Sequence, residues 1–276
     1  MDIITTKFTR LPKMLLYGVQ GMGKSTFASE MPAPVFIQTT DGLEGLGVQA
    51  FPLAQTAEDV RNALHSVLND KHDFKTLVID TIGWLEKLIH AEVCGQLGLE
   101  YMTQASVKSY PLAKTKLFEM KQLWDRINTE RKMFILLVGH ATIQKFEDPT
   151  TASYDRYQVD MNDKCAEMLL QDVDIVAFMN QKVAIKTEEL GFGKEAVKGQ
   201  ASARYVFFHP RPAFFAKEHN YGLPPEILIK EGQQWNAVWD VMKTKFKQPA
   251  KKKDLKEVAD QTKAAQADKA AAAIQQ

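Results

Sequence analysis

Gly18-Val19-Gln20-Gly21-Met22-Gly23-Lys24-Ser25-Thr26 is the stretch from which the rest of the chain can be read. Its spacing is G-x-x-x-x-G-K-[ST], the pattern of a loop that cradles phosphates. The flanks agree with the letters. Met14, Leu15, Leu16 and Tyr17 form a short apolar run of buried-strand type, and residues 25–31 can open a helix directly behind the loop. Glycines let the backbone turn tightly so that successive N–H groups point inward, and a helix N-terminus adds partial positive charge. In that arrangement Lys24 reaches the β- and γ-phosphates, and the Ser25 hydroxyl ligates magnesium. Residues 18–26 are thus the candidate cradle, and a nucleoside triphosphate is the expected ligand.

Working outward, Met31-Pro32-Ala33-Pro34 breaks the helix, and Val35-Phe36-Ile37-Gln38 reads as a second strand ending in the polar turn 39–45. Residues 57–68 form an amphipathic helix with Val60, Leu64, Val67 and Leu68 on one face. Leu77-Val78-Ile79-Asp80 is an apolar strand ending on a carboxylate, the form of a Walker B strand, so Asp80 joins Ser25 as candidate metal residue. A helix follows over 82–97. Residues 99–111 read as a polar, irregular connection, and 112–131 as a helix whose stripe of Leu117, Met120, Leu123, Trp124 and Ile127 is core. Met133-Phe134-Ile135-Leu136-Leu137-Val138 is apolar throughout, the mark of a parallel strand covered on both faces, and it ends Gly139-His140. Residues 143–162 turn polar and read as a long functional loop. A short helix over 166–170, a strand over 175–179 with a hairpin at Asn180-Gln181, a loop over 191–200, an edge strand over 204–208 and a helix over 233–246 complete the pattern. Residues 1–247 are expected to form one domain. Residues 248–276, nearly devoid of large apolar side chains, are expected to be a disordered or marginally helical tail.

Composition narrows the classes. The 276 residues are 45% hydrophobic and 25% charged, ordinary for a globular chain, and a net charge of +1 provides no global field for nucleic acid or membrane. Cys94 and Cys165 show no C-x-x-C spacing, which argues against a disulfide framework or a zinc site. With no apolar leader after Met1 and no run long enough to span a bilayer, the expected location is the cytoplasm and no membrane partner is expected.

Three βα units with a phosphate loop on the first strand imply an α/β fold: a doubly wound, mostly parallel sheet of P-loop NTPase type. Asp80-Thr81-Ile82-Gly83 fits the D-x-x-G of GTPases, but Asn180-Gln181-Lys182-Val183 lacks the Asp that reads guanine. AAA+ machines usually carry Glu directly after the Walker B Asp; here that position is Thr81, as is common in RecA-like ATPases. The loop G-V-Q-G-M-G-K-S, the segments L-V-I-D-T and L-L-V-G-H, and the Tyr-Gly-Leu-Pro near Tyr221 together resemble phage nucleotide-binding proteins with a RecA-like core, over about residues 13–246. Some of these act as single-strand annealing recombinases beside a single-stranded-DNA-binding protein.

The resemblance implies ATP and Mg2+ as cofactors, with Lys24, Ser25 and Asp80 matching directly. It implies that His140 ends a strand lying between the phosphate-loop and Walker B strands, facing the γ-phosphate as a sensor. Relatives place a water-activating Glu at or near Thr40; here Asp41 and Glu44 are the nearest carboxylates, each also readable as an ordinary turn or cap residue. Residues 99–111 and 143–162 occupy the positions of two DNA-facing loops. Tyr101, Lys108 and Tyr110 in the first, and Lys145, Tyr154, Arg156 and Tyr157 in the second, offer the aromatic faces and cations that hold single strands. A homo-oligomer, filament or ring, is implied, with Lys182, Lys186 or Arg204 reaching into a neighbour's site. The implied function is annealing or strand pairing in phage recombination. Alternatives are a nucleotide-dependent interaction or loading module without DNA contact, and a small-molecule kinase.

Overall fold

The computed structural model describes residues 10–189 and 195–247. Its frame is set by strands that alternate apolar side chains between two faces. In β1 (Lys13–Gly18) every residue is buried, Leu15 and Tyr17 entering one core and Met14 and Leu16 the other. Such two-sided burial requires helices on both faces, each fully buried Leu or Ile contributing about 1.5–3 kcal/mol. After the phosphate loop and α1 (Lys24–Ser29), β2 (Pro34–Gln38) and a two-residue β3 (Gln49–Ala50) lead to α2 (Ala57–Asn69). That helix is closed at its start by a reciprocal pair, Asp59 N–H to Thr56 Oγ1 at 3.1 Å and Thr56 N–H to Asp59 Oδ2 at 2.8 Å. Then come β4 (Thr76–Asp80), α3 (Ile82–Leu97), a 3-10 turn (Met102–Ala105) and α4 (Ser106–Glu130).

β5 (Phe134–Phe146) and β6 (Tyr154–Val159) form a hairpin, followed by α5 (Asp163–Asp172). The chain closes with β7 (Ile175–Glu189), β8 (Glu195–Phe207), β9 (Lys217–Glu218), β10 (Glu226–Ile229) and α6 (Gln234–Lys247). The sheet order is β10-β8-β7-β1-β5-β4-β2-β3, parallel from β7 to β3 and antiparallel at β8 and β10. α2, α3, α4 and α5 cover one face, and α1 and α6 the other. This is the doubly wound, mostly parallel architecture expected, with the His140 strand between the phosphate-loop and Walker B strands.

Several local expectations are corrected. Residues 106–111 are helical: α4 starts at Ser106 and includes Pro111, whose missing N–H frees only the carbonyl of Val107, a residue 87% exposed. Residues 143–162 are not structureless. They form the β5–β6 hairpin, because Ile143-Gln144-Lys145-Phe146 and Tyr154-Asp155-Arg156-Tyr157 alternate in the period of a strand. No hairpin turn falls at Asn180-Gln181; β7 runs through to Glu189 with a register shift at Gln181/Val183. The loop read over 191–200 is cut short by β8 from Glu195, and β8 is an inner strand because β10 pairs beyond it. The helix read over 166–170 begins at Asp163, where the Asn162 side chain accepts the Lys164 N–H. The tail 248–276 lies outside the described residues.

Candidate functional site

The site grows from where β1 delivers the chain. β1 runs between β5 and β7, so closely that a Cβ on Gly18 would stand 2.1 Å from the Met179 carbonyl oxygen. Gly21 (φ 78) and Gly23 (φ 90) then take left-handed conformations that turn the loop into α1. Lys24, 5% exposed, extends its ammonium within the cradle, donating to the carbonyls of Gly18 at 3.0 Å and Val19 at 2.9 Å. Burial pulls its pKa down to about 8, and the Asp80 charge opposes that fall.

Ser25 Oγ donates to Asp80 Oδ2 at 2.6 Å, joining the loop to the end of β4. Burial raises the Asp80 pKa, against the lowering by the Ser25 hydroxyl, Lys24 and His140. One hydroxyl and one carboxylate suit a hard divalent cation that takes its remaining ligands from phosphate and water. Among the described residues no group of three or more His, Cys, Asp or Glu could hold a metal, and a magnesium ion brought in with a nucleotide would fit the Ser25–Asp80 pair.

His140 pairs in register with Gly18, at the mouth of the loop. Its Nδ1 is buried and, among the described residues, has no hydrogen-bond partner. Burial, followed by the Lys24 charge, lowers its pKa, which keeps the ring neutral and able to donate a single N–H. Thr39, which no local pattern singles out, laces β2 to β4: its N–H donates to the Asp80 carbonyl at 2.8 Å, its hydroxyl to the Thr81 carbonyl at 2.7 Å, and the Thr81 N–H to its oxygen at 2.8 Å. That lacing brings the turn 40–44 to the site. Asp41 and Glu44, both exposed, line the same cleft as Lys24, Ser25, Asp80 and His140.

The cleft holds about 810 Å³, within the size range of ligand sites. Gln20, Gly21 and Thr26 floor it, and Leu53, Trp84 and Leu88 form an apolar wall. Trp84, 44% exposed, lies in the first turn of α3 under the Lys87 ammonium, 4.0 Å from the ring centre. The helical pattern of α3 carried no sign of this wall, because half-exposed Trp84 and Leu88 read as ordinary periodic residues.

The residues read as DNA-facing are divided. Tyr154 and Arg156 come together on one face of the hairpin with Phe146, a residue the sequence reading passed over. Its ring is 5.5 Å from that of Tyr154 and 4.6 Å from the Arg156 guanidinium. Lys145 is exposed on the opposite face. Tyr157, also opposite, packs its ring 5.1 Å from that of Phe178 in the core, tilted by 35°, and its N–H donates to the Ala213 carbonyl. Tyr101 (55% exposed) lies on the α3–α4 connection and Lys108 in the first turn of α4, while Tyr110, also in α4, packs edge-on to His90 at 5.8 Å. Lys182 pairs with Glu226 of its own chain and covers the Tyr205 ring, and Arg204 donates to its own Met22 carbonyl at 3.1 Å. The side chain of Lys186 lies outside the described residues.

Among the described residues no helix is long and apolar enough to cross a membrane. No curated protein matches the chain. Residues 10–219, well over half of the sequence, match the family model described as an AAA domain. That span contains the phosphate loop, the Ser25–Asp80 pair, His140 and the whole parallel sheet; the chain belongs to the AAA domain family of nucleotide-binding P-loop NTPases.

Proposed function

We propose that this protein binds ATP with magnesium, hydrolyses it, and uses the cycle to hold single-stranded DNA for annealing or strand pairing, working as a homo-oligomer. The observation that carries the reading is the continuity of β5. One strand passes His140 beside the phosphate loop and runs on into the hairpin that bears Phe146, Tyr154 and Arg156. An aromatic pair with a guanidinium supplies stacking faces and a phosphate partner without sequence reading.

The hairpin base is tied to the site on both sides. Asp160 N–H donates to the His140 carbonyl at 2.9 Å, and Asn162 N–H donates to the buried Glu86 carboxylate of α3 at 2.9 Å. A neutral imidazole touching the γ-phosphate would therefore shift the strand that carries the DNA-facing cluster. Lys24 would hold the β- and γ-phosphates, Ser25 and Asp80 the magnesium, and Asp41 or Glu44 the attacking water. A single-stranded-DNA-binding protein is the proposed protein partner.

Fluorescence anisotropy of a labelled oligo(dT) tests the reading. Tyr154→Ala with Arg156→Ala should weaken binding by about 1–3 kcal/mol per stacked base lost, or tenfold and more. Unchanged affinity in that variant would remove the hairpin from the DNA site. A second reading, a nucleotide-dependent interaction module for replication proteins, is favoured by Val107 and Tyr101, which leave an apolar and an aromatic side chain bare at the start of α4. It predicts ATP binding, capture of a protein partner and no oligonucleotide binding.

A further inference from the structure

Two residues from the C-terminal part of the fold reach the outer side of the phosphate loop. Arg204 lies on β8 opposite Gln181 of β7, and Gln234 opens α6. Neither belongs to a nucleotide-binding motif. Arg204 Nη1 donates to the Met22 carbonyl at 3.1 Å. A Cβ on Gly23 would stand 2.6 Å from that nitrogen and 3.7 Å from Gln234 Oε1, so both side chains press on the loop where it has no side chain of its own. Gln234 is 1% exposed, and among the described residues neither its amide oxygen nor its amide nitrogen has a hydrogen-bond partner.

The same helix is fastened at the far end of α1. The Glu30 carboxylate accepts the N–H groups of Gln234 and of Trp235, the latter at 3.1 Å. The C-terminal elements thus grip α1 beyond its last turn, through Glu30, and the loop just ahead of its first, through Met22 and Gly23.

We propose that Arg204 and Gln234 are positioning residues of the phosphate loop, acting through the Met22–Gly23 peptide. The carbonyl of Met22 and the N–H of Gly23 belong to one planar trans unit and point in opposite directions. A cation that holds the carbonyl outward therefore holds the N–H inward, toward the phosphates, and polarises it as a donor. Gln234 is the second arm. A buried amide without a partner carries an uncompensated desolvation cost, and this one lies against the outer side of the loop, ready to pair with its backbone as the loop adjusts to a triphosphate. The inference rests on the proposed nucleotide reading and adds to it residues that tune affinity from outside the cradle.

Stopped-flow binding of a fluorescent N-methylanthraniloyl-ATP with magnesium, on the full chain, tests it. Arg204→Met keeps the aliphatic stem and removes the donor. It should raise Kd about tenfold, mostly through faster release, the loss expected for one charge-assisted hydrogen bond, while leaving the melting temperature without nucleotide in place. Arg204→Lys should restore most of the affinity. Gln234→Met should raise the melting temperature without nucleotide, by removing the unpartnered amide, and yet weaken nucleotide binding.

A purely structural role gives the reverse pattern, with lower melting temperatures and an unchanged release rate, and overturns the proposal. So does wild-type binding matched by both Met variants. Failure of the wild-type chain to bind the probe at all would instead overturn the nucleotide reading on which the inference rests.

Discussion

Replacing Asp80 by Asn separates the chemistry of the site from its contribution to the fold. The carboxylate is 5% exposed and accepts the Ser25 hydroxyl at 2.6 Å. A hydrogen bond to an ionised group is worth about 1.5–3 kcal/mol. Burial, however, disfavours that same charge and raises the Asp80 pKa, so the amide relieves a desolvation cost of similar size. The two terms nearly cancel, and Asp80→Asn should move the melting temperature without nucleotide very little. The metal term does not cancel. Losing an anionic oxygen beside magnesium typically costs about 10- to 100-fold in metal affinity, or about 1.4–2.8 kcal/mol. Titration calorimetry of ATP with magnesium and with EDTA reads that term directly. The variant should lose most of the magnesium-dependent gain in affinity and keep, or improve, binding in EDTA, since one negative charge near the phosphates is gone. Asp80→Asn that retains the full magnesium dependence would refute the assignment of Asp80 to the metal.

Four further outcomes follow from the geometry. With the Lys24 pKa pulled to about 8 from 10.5, ATP affinity should fall as pH rises above about 8, with proton uptake on binding. Stability runs the other way: the folded-state pKa lies below the unfolded one, so this lysine's cost is present below about pH 8 and is relieved toward pH 10.5, which melts at several pH values would show. Gly83→Ala would put a Cβ 2.7 Å from the Asp160 carbonyl oxygen at the hairpin base, and should destabilise by about 1–3 kcal/mol in denaturant titration. Asp41→Asn combined with Glu44→Gln should lower kcat for ATP hydrolysis by about 10²- to 10⁴-fold with ATP affinity kept, and the single variants then identify which carboxylate activates water.

The parts of this fold that could be read in advance are those where one local pattern leaves little choice. Eight residues of loop between an apolar run and a helix, and an apolar strand ending at Asp80, announced the strand–loop–helix turn, the meeting of Ser25 with Asp80 and the parallel sheet. The His140 strand lies where the RecA resemblance put it, beside Gly18. What escaped reading depends on contacts between distant segments. Thr39 matters because β2 lies next to β4, and Arg204, expected to reach a neighbour's site, meets its own loop because β8 passes it. Nothing within ten residues of either says so. The hairpin was misread for a different reason: its polar composition outweighed the alternation of Phe146, Tyr154 and Arg156, and that alternation places those three on one face. Pro111 likewise hid the first turn of α4, although a proline early in a helix removes only one hydrogen bond.

Phosphate release from ATP with magnesium, measured with and without oligo(dT) and with Lys24→Ala alongside, tests most directly whether the cradle drives the hairpin. The account predicts turnover that rises with single-stranded DNA, vanishes in Lys24→Ala, and loses its DNA response when Tyr154 and Arg156 are both replaced by Ala. Turnover indifferent to DNA, in a protein that also retains no oligonucleotide, would contradict it.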